Sequence, residues 1–205
     1  MKKNAEETRE KIKNAFLKLY KEKRIEKISI GELAKEAKIY RGTFYYYYED
    51  IYDLLSKIEE EFFNESIKDV VEVVQGILSN DIEERVISIT NNFKKYEDLM
   101  RLFFITRPNI KLINKIKETA KGKAVETLGI DVEKLSNEDK YILEYIASAQ
   151  VGIVTKWIEN NRDIDAVSLG NIMKRVNLIG PMTYLKEKYI KWKYYIRNGK
   201  IYIMQ

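Results

Sequence analysis

Histidine and cysteine are both absent from this 205-residue chain. Without them the protein has no Ser-His-Asp triad, no thiol nucleophile, no His/Cys zinc site and no disulfide. Only 2 Pro and 9 Gly occur, too few for the many tight turns of a sheet protein, whereas the abundant Lys, Glu, Leu and Ile favour or tolerate helix. We therefore expect an all-α fold with no catalytic residues, no cofactor and no metal site.

Long hydrophobic runs are also missing. No apolar stretch approaches the ~18 residues that a membrane-spanning helix needs, and the start MKKNAEETREK has no apolar segment of the kind found in secretion signals. Hydrophobic residues make up 45% of the chain and charged residues 34%, enough for both a core and a charged surface. The sequence therefore predicts a cytoplasmic protein without a membrane span.

Charge is unevenly distributed along the chain. Residues 1–48 carry a net charge of +6, residues 49–180 carry −6, and residues 181–205 carry +5. We call residues 1–48 the head and residues 49–180 the body. A basic head on an acidic body suggests that the head binds a polyanion that the body does not touch. The alternative is that these charge runs are simply solvated helix faces.

The basic head has the spacing of three helices. The first is predicted from about residue 5 to residue 23 by an apolar stripe at i, i+3, i+4, i+7 and i+8, which consists of Ile12, Ala15, Phe16, Leu19 and Tyr20. Ser29 stands three residues before Glu32, a capping-box spacing that predicts the start of a short second helix. A two-residue connection, 38–39, leads to a third segment of about two turns, so the head reads as a helix-turn-helix.

In the third segment, some side chains are predicted to pack in the core and others to contact a partner. The four tyrosines at 45–48 sweep about 300° of helix surface, so they cannot all enter one core. Phe44 and Tyr48 are four residues apart and are predicted to face the core. The remaining side chains suit DNA: Arg41 can pair with guanine or with phosphate, hydroxyls bind phosphate, and aromatic rings contact thymine methyls. Gly42 suggests a close approach to another surface, since glycine costs about 1 kcal/mol inside a helix.

Residues 28–55 resemble the DNA-binding domain of TetR/AcrR-type transcriptional regulators. The resemblance is carried by the ArgGlyThrPheTyr core at 41–45, the small Ala37 and the closing AspLeuLeu at 53–55. It implies an all-helical dimeric repressor whose third helix lies in the major groove. The chain departs from the family at Lys38, where many members have Gly, and at Ile51, where a phosphate-contacting Lys is common.

We predict a set of DNA-contacting residues from this segment and its resemblance. Ser29 is included because its hydroxyl and the local backbone amides can face phosphate, although a plain helix cap is the alternative. The predicted set is Ser29, Lys38, Tyr40, Arg41, Gly42, Thr43, Tyr45, Tyr46 and Tyr47.

Past residue 50 the sequence predicts helices near 50–78, 82–104, 109–128, 137–160 and 166–179. The helix at 137–160 has apolar residues on two sides, so it must be covered on both. A homodimeric four-helix bundle completed by the 166–179 helix meets that need, and its two-fold symmetry would match a palindromic operator. A central core helix of a monomer is the alternative. The predicted dimer residues are Ala147, Val151, Gly152, Val154, Ile158 and Ile172.

The family resemblance also implies a small-molecule effector that binds in the body and releases the operator. An apolar cavity there could be lined by Phe93, Tyr96, Met100, Phe103, Phe104 and Trp157, although such residues more often form plain core. The resulting organisation is a helix-turn-helix DNA-binding domain at 1–49, a helical effector-binding and dimerisation domain at 50–180, and a basic aromatic extension at 181–205.

The extension mixes aromatic residues and lysines over 182–197, which suggests a basic helix. Such a helix could bind a membrane surface or nucleic acid, but we expect it to pack its rings on the body. The sequence as a whole predicts a dimeric repressor of transcription with double-stranded DNA and an unknown small molecule as partners. The alternative function is a helical interaction or membrane-surface module that uses its basic ends on acidic partners; an enzyme is the weakest reading.

Overall fold

The computed structural model describes residues 2–79, 81–180, 193–197 and 200–204, with side chains for 4–79, 81–90 and 95–180. The helices are α1 (Lys2–Glu22), α2 (Ile30–Glu36), α3 (Arg41–Tyr47), α4 (Ile51–Leu78), α5 (Ile82–Arg101), α6 (Ile110–Thr127), α7 (Asn137–Glu159) and α8 (Ala166–Ile179). The predicted all-α fold is confirmed, and the helices begin and end close to the predicted positions. Within the described residues, no helix combines the length and apolar character needed to cross a membrane.

The chain divides into two compact units. One comprises Met1–Lys68 and Lys95–Ile116, and the other comprises Asp69–Lys94 and Lys117–Gln205. This division does not follow the predicted boundary at residue 49, because α4, α5 and α6 each contribute to both units. The predicted boundary describes a division of function, and it stays a prediction.

The first unit contains the helix-turn-helix. The predicted stripe of α1 is confirmed as core, since Ile12 and Phe16 are fully buried. At the start of α2, the hydroxyl of Ser29 accepts a hydrogen bond from the backbone N–H of Glu32 over 3.2 Å, which confirms the predicted cap. Only half of a capping box forms, because the Glu32 carboxylate instead pairs with Lys23, the residue that follows α1.

Lys38 makes the sharp turn between α2 and α3. Its φ of 55° lies in the left-handed region that favours glycine. This geometry lets the N–H of Ile39 reach back to the carbonyl of Ala34 over 2.9 Å, which closes the end of α2. The glycine that many relatives have at this position therefore fits the observed backbone, and the lysine adopts the same conformation at a cost.

In the second unit, short contacts join successive helices. Gly76 of α4 leaves room for α5, because a methyl group there would lie 2.9 Å from the backbone Cα of Ile82. Arg85 of α5 pairs with Glu72 at 2.5 Å and with Asp81 at 2.9 Å. At the start of α7, Ser136 and Asp139 form a complete capping box, so the cap predicted for this helix is confirmed.

Two elements differ from the sequence-based prediction. The segment Leu102–Thr106 continues α5 as a π-helical turn. In the C-terminal extension, Lys193–Arg197 and Lys200–Met204 form antiparallel strands β1 and β2, with Tyr195 opposite Tyr202. The predicted helix over 182–197 is therefore wrong for 193–197, where two Tyr and one Ile suit a strand. Residues 181–192 lie outside the described residues.

Candidate nucleic-acid interface

Helix α3 turns its polar and aromatic side chains outward. Tyr40, which precedes α3, is 87% exposed, and Tyr46 is 81% exposed. Arg41, Gly42 and Tyr45 are also exposed, while Thr43 and Tyr47 are half-buried. Ser29 at the start of α2 and Lys38 in the turn are exposed as well, so every predicted DNA-contact residue is at least partly accessible. That these residues form one DNA-contacting surface stays a prediction.

The opposite side of α3 is anchored in the core. Phe44 is fully buried and Tyr48 is 9% exposed, so their predicted inward orientation is confirmed. The two rings lie 5.6 Å apart, a distance at which aromatic pairs attract. Burial raises the pKa of the Tyr48 phenol. This anchor fixes which face of α3 remains available to a partner.

Side chains of α1 and α4 contact Tyr47 at the end of α3. The guanidinium of Arg9 in α1 lies 5.5 Å from the ring centre of Tyr47, which in turn packs edge-on against Tyr46. Lys57 of α4 donates a hydrogen bond to the carbonyl of Tyr47 over 3.3 Å. Sequence analysis missed Arg9 and Lys57 because both lie outside the motif, although Lys57 stands four residues after its partner Asp53.

The acidic groups of α2 are paired with lysines at the end of α1 and just after it. Lys18 lies 2.7 Å from Glu36, and this partner raises the pKa of Lys18. Lys23 pairs with Glu32 in the same way. Because these carboxylates are already neutralised, they oppose an approaching polyanion less than their formal charges suggest.

Two residues of the surface have unusual local surroundings. Gly42 has no atom of the described chain within 4 Å of the place where a Cβ would stand, so packing within the protein does not explain this glycine. At Gly31 of α2 the reverse holds, since a Cβ there would overlap the guanidinium of Arg41. Sequence analysis missed Gly31 because the pattern carries no information on where the Arg41 side chain turns.

The departure at Ile51 is explained by burial. Its side chain is 8% exposed at the first position of α4, so it cannot contact phosphate. Asp50 caps this helix, with its carboxylate accepting from the backbone N–H groups of Tyr52 and Asp53 at 2.8 Å each. The phosphate contact that the family commonly makes here is therefore lost in this chain.

Four of the six predicted effector-binding residues lie in the same unit of the structure. Tyr96, Met100, Phe103 and Phe104 are buried in the first unit, where three of their rings surround Phe62 at 5.5 to 6.5 Å. Trp157 belongs to the second unit, and its indole N–H donates to the carbonyl of Ile164 over 2.7 Å. The side chain of Phe93 lies outside the described residues. The ligand-binding role of this set remains a prediction.

The predicted dimer residues need one correction. Ala147 and Ile158 are 6% and 0% exposed within the single chain, so both belong to the subunit's own core and have no surface to offer a second copy. Val151, Val154 and Ile172 are half-buried, and Gly152 is exposed. The two apolar sides predicted for α7 do exist, but the outward one carries Tyr141, Ile142, Tyr145 and Ala149.

Metal binding has no support in the described part of the chain. Across residues 2–79 and 81–180, no group of three or more acidic side chains is arranged to hold an ion. Several acidic residues instead cap helices, as Asp165 does at the start of α8, or pair with Lys and Arg, as Glu144 does.

Comparisons with known proteins agree with this architecture. A TetR C-terminal family model, described as a transcriptional regulator C-terminal region, matches residues 80–177. A solved structure, the fatty acid degradation regulator FadR from Bacillus halodurans, shares the fold with a TM-score of 0.52 and 20% identity, over 85% of this chain and 96% of FadR.

Two relatives match over shorter stretches. The HTH-type transcriptional regulator AcrR of Shigella flexneri is 39% identical over 59 residues, which is 29% of this chain and 27% of AcrR. The HTH-type transcriptional regulator YxbF of Bacillus subtilis (strain 168) is 38% identical over 50 residues, 24% of this chain and 13% of YxbF. The match thus spans about a quarter or less of either relative. Together, the family model on residues 80–177 and the matches to AcrR and YxbF support the resemblance of this chain to TetR/AcrR-type transcriptional regulators.

Proposed function

We propose that the protein binds double-stranded DNA by placing α3 in the major groove. The observation that carries this proposal is the division of α3 into a buried side, held by Phe44, and an outward side with Arg41, Gly42 and Tyr46. A recognition helix needs both sides: one fixes its position on the protein, and the other reaches base edges and phosphates.

The operator is palindromic, because the protein acts as a homodimer. Support comes from the outward apolar side chains of α7 and α8, a kind of surface that rarely stays open to water on a monomer. Tyr141 is 78% exposed, Ile142 55%, Tyr145 59% and Leu178 64%. Two copies that pair these helices form a four-helix bundle, and the exposed Gly152 lets the two backbones approach closely.

The protein represses transcription, and a small molecule bound in the body releases it from the operator. Such an effector must bind the DNA-incompetent state more tightly, by about 1 to 3 kcal/mol for typical couplings. The aromatic cluster of Phe62, Tyr96, Phe103 and Phe104 would give such a ligand an apolar lining.

Selection of random DNA duplexes with the purified protein tests the proposal. The expected product is an enriched inverted repeat whose half-sites lie one helical turn or a multiple of it apart, about 34 Å per turn. Its affinity should fall steeply with salt, because phosphate contacts release counterions. If no duplex is enriched over a pool carried through without protein, the DNA-binding proposal is wrong.

A further inference from the structure

The side chain of Arg41 turns back from α3 onto α2. Arg41 is the first residue of α3, and Gly31 is the second residue of α2. A methyl group on residue 31 would lie 2.9 Å from Cζ and 3.0 Å from Nε of Arg41, so the guanidinium occupies the space that a side chain at 31 would fill. Only glycine leaves that space open.

The charge of Arg41 is not neutralised by its neighbours. The carboxylates of α2, on Glu32 and Glu36, are engaged by Lys23, which follows α1, and by Lys18 of α1. Within residues 4–79, 81–90 and 95–180, Arg41 has no ion pair with any carboxylate, and its side chain is exposed. The guanidinium lies against Gly31 and keeps its charge for an external anion.

The guanidinium of Arg41 could bind either a backbone phosphate or a guanine base, and its position against α2 distinguishes between them. In a helix-turn-helix, the second helix enters the major groove while the first helix crosses the DNA backbone. A guanidinium that lies on the first helix is therefore on the side of the sugar-phosphate strand. An extended arginine on α3 would instead reach guanine in the groove.

We propose that Arg41 binds a backbone phosphate of the operator and does not read a base, and that Gly31 is the positioning residue that directs it there. This inference rests on the proposed DNA-binding function and goes beyond it. It gives Arg41 a role in the affinity for DNA, whereas other residues recognise the base sequence. The fork of a guanidinium matches two phosphate oxygens, which makes this contact strong. The exposed Tyr40, Tyr45 and Tyr46 remain to contact base edges and thymine methyls.

The test compares variants on a panel of duplexes: the selected operator and derivatives with each base pair of one half-site changed in turn. The variants are Arg41→Ala, Arg41→Lys, Gly31→Ala and the double variant Gly31→Ala/Arg41→Ala. Lys140→Ala, which removes one exposed cation from α7, is the control for the change in net charge. Each affinity is measured at several salt concentrations.

A phosphate contact predicts a uniform effect for Arg41→Ala. Affinity should fall about tenfold on every duplex of the panel, and the slope of log K against log salt should become shallower by about 1 for each half-site. Arg41→Lys should recover most of the loss, since phosphate accepts an ammonium as a point charge. Gly31→Ala should weaken binding several-fold in the parent but less than about twofold in the Arg41→Ala background, because residue 31 acts through Arg41.

Other outcomes overturn the inference. If Arg41→Ala removes discrimination at one base pair and leaves the salt slope unchanged, Arg41 reads a base. If Gly31→Ala weakens binding equally in both backgrounds, Gly31 does not act through Arg41. A parent protein that binds no duplex would refute the proposed function and this inference together, whereas the two results above refute the inference alone.

Discussion

Lys57 of α4 supplies the cation that α3 lacks at its own C-terminal end, where it donates to the carbonyl of Tyr47 over 3.3 Å. The same ammonium lies 5.1 Å from the ring centre of Tyr48 and 2.7 Å from the Asp53 carboxylate. The hydrogen bond from Lys57 is the main reason that the pKa of Asp53 is lowered. Three weak contacts thus fix the end of α3 against the start of α4.

Replacing Lys57 with Met should loosen α3 without exposing the core. We expect the free energy of unfolding to fall by about 0.2 to 1 kcal/mol, the usual range for an exposed ion pair, and operator affinity to fall several-fold because α3 is held less firmly. Thermal unfolding and duplex titration measure the two effects. Lys57→Arg, which keeps the charge, is the control, and unchanged affinity in Lys57→Met would show that this contact does not position α3.

Replacing Lys38 with glycine should raise the stability of the protein and lower its affinity for DNA. Glycine relieves the cost of the left-handed backbone, so we expect Lys38→Gly to stabilise the protein by about 1 kcal/mol. The variant also loses an exposed cation beside the proposed DNA surface, so its operator affinity should be lower and its salt slope shallower by about 1 for each half-site. Chemical denaturation and titration at several salt concentrations give the two numbers, and a variant that is less stable than the parent contradicts the backbone argument.

The ion-pair network between α6 and α7 should make stability depend on pH. Lys117 and Lys121 lie 2.6 and 2.8 Å from the Glu144 carboxylate, and these hydrogen bonds lower the pKa of Glu144 to about 2. Because the folded pKa lies below the unfolded value of about 4.5, the contribution is complete above pH 4.5 and is lost as the pH falls towards 2.

The matched variant for this network is Glu144→Gln. At neutral pH it should unfold at a lower temperature than the parent, and the difference should shrink below pH 4.5 and vanish near pH 2. Melting temperatures of both proteins over this range provide the test. A difference that stays constant with pH would mean that the carboxylate charge is not what matters at this position.

Dimerisation through α7 predicts different outcomes for two exposed isoleucines. Ile142 of α7 is 55% exposed and Ile87 of α5 is 62% exposed, but only Ile142 lies on the proposed interface. Ile142→Glu would bury a carboxylate between two copies, which is costly without a partner, whereas Ile87→Glu should remain dimeric. Light scattering reports the mass, and a parent protein of 24.3 kDa in solution would refute the dimer.

Much of the fold could be predicted because local signals agree with one another. The α1 stripe, the Ser29 cap and the division of α3 into Phe44 and outward tyrosines all follow from helical spacing, and the structure contains each of them. The pattern also found two apolar sides on α7. It could not decide which side the subunit itself covers, because that depends on how distant helices pack, and Ala147 and Ile158 were therefore assigned to the wrong surface.

Other features depend on choices that a sequence pattern does not encode. Apolar spacing does not distinguish the π-helical turn at Leu102–Thr106 from an ordinary α-helix. The β1–β2 hairpin has the composition of a basic amphipathic helix as much as that of a strand. At the candidate site, the residue types around Arg41 were predictable, but its rotamer was not, so the role of Gly31 became visible only in three dimensions.

The most direct test of the central claim is titration of the selected operator with the parent protein and with Tyr46→Ala, monitored by fluorescence anisotropy at two salt concentrations. The outward face of α3 predicts tight binding by the parent that weakens as salt rises, and a loss of at least tenfold for Tyr46→Ala with the same oligomeric mass and melting temperature as the parent. Equal binding by both proteins would show that this face does not contact DNA.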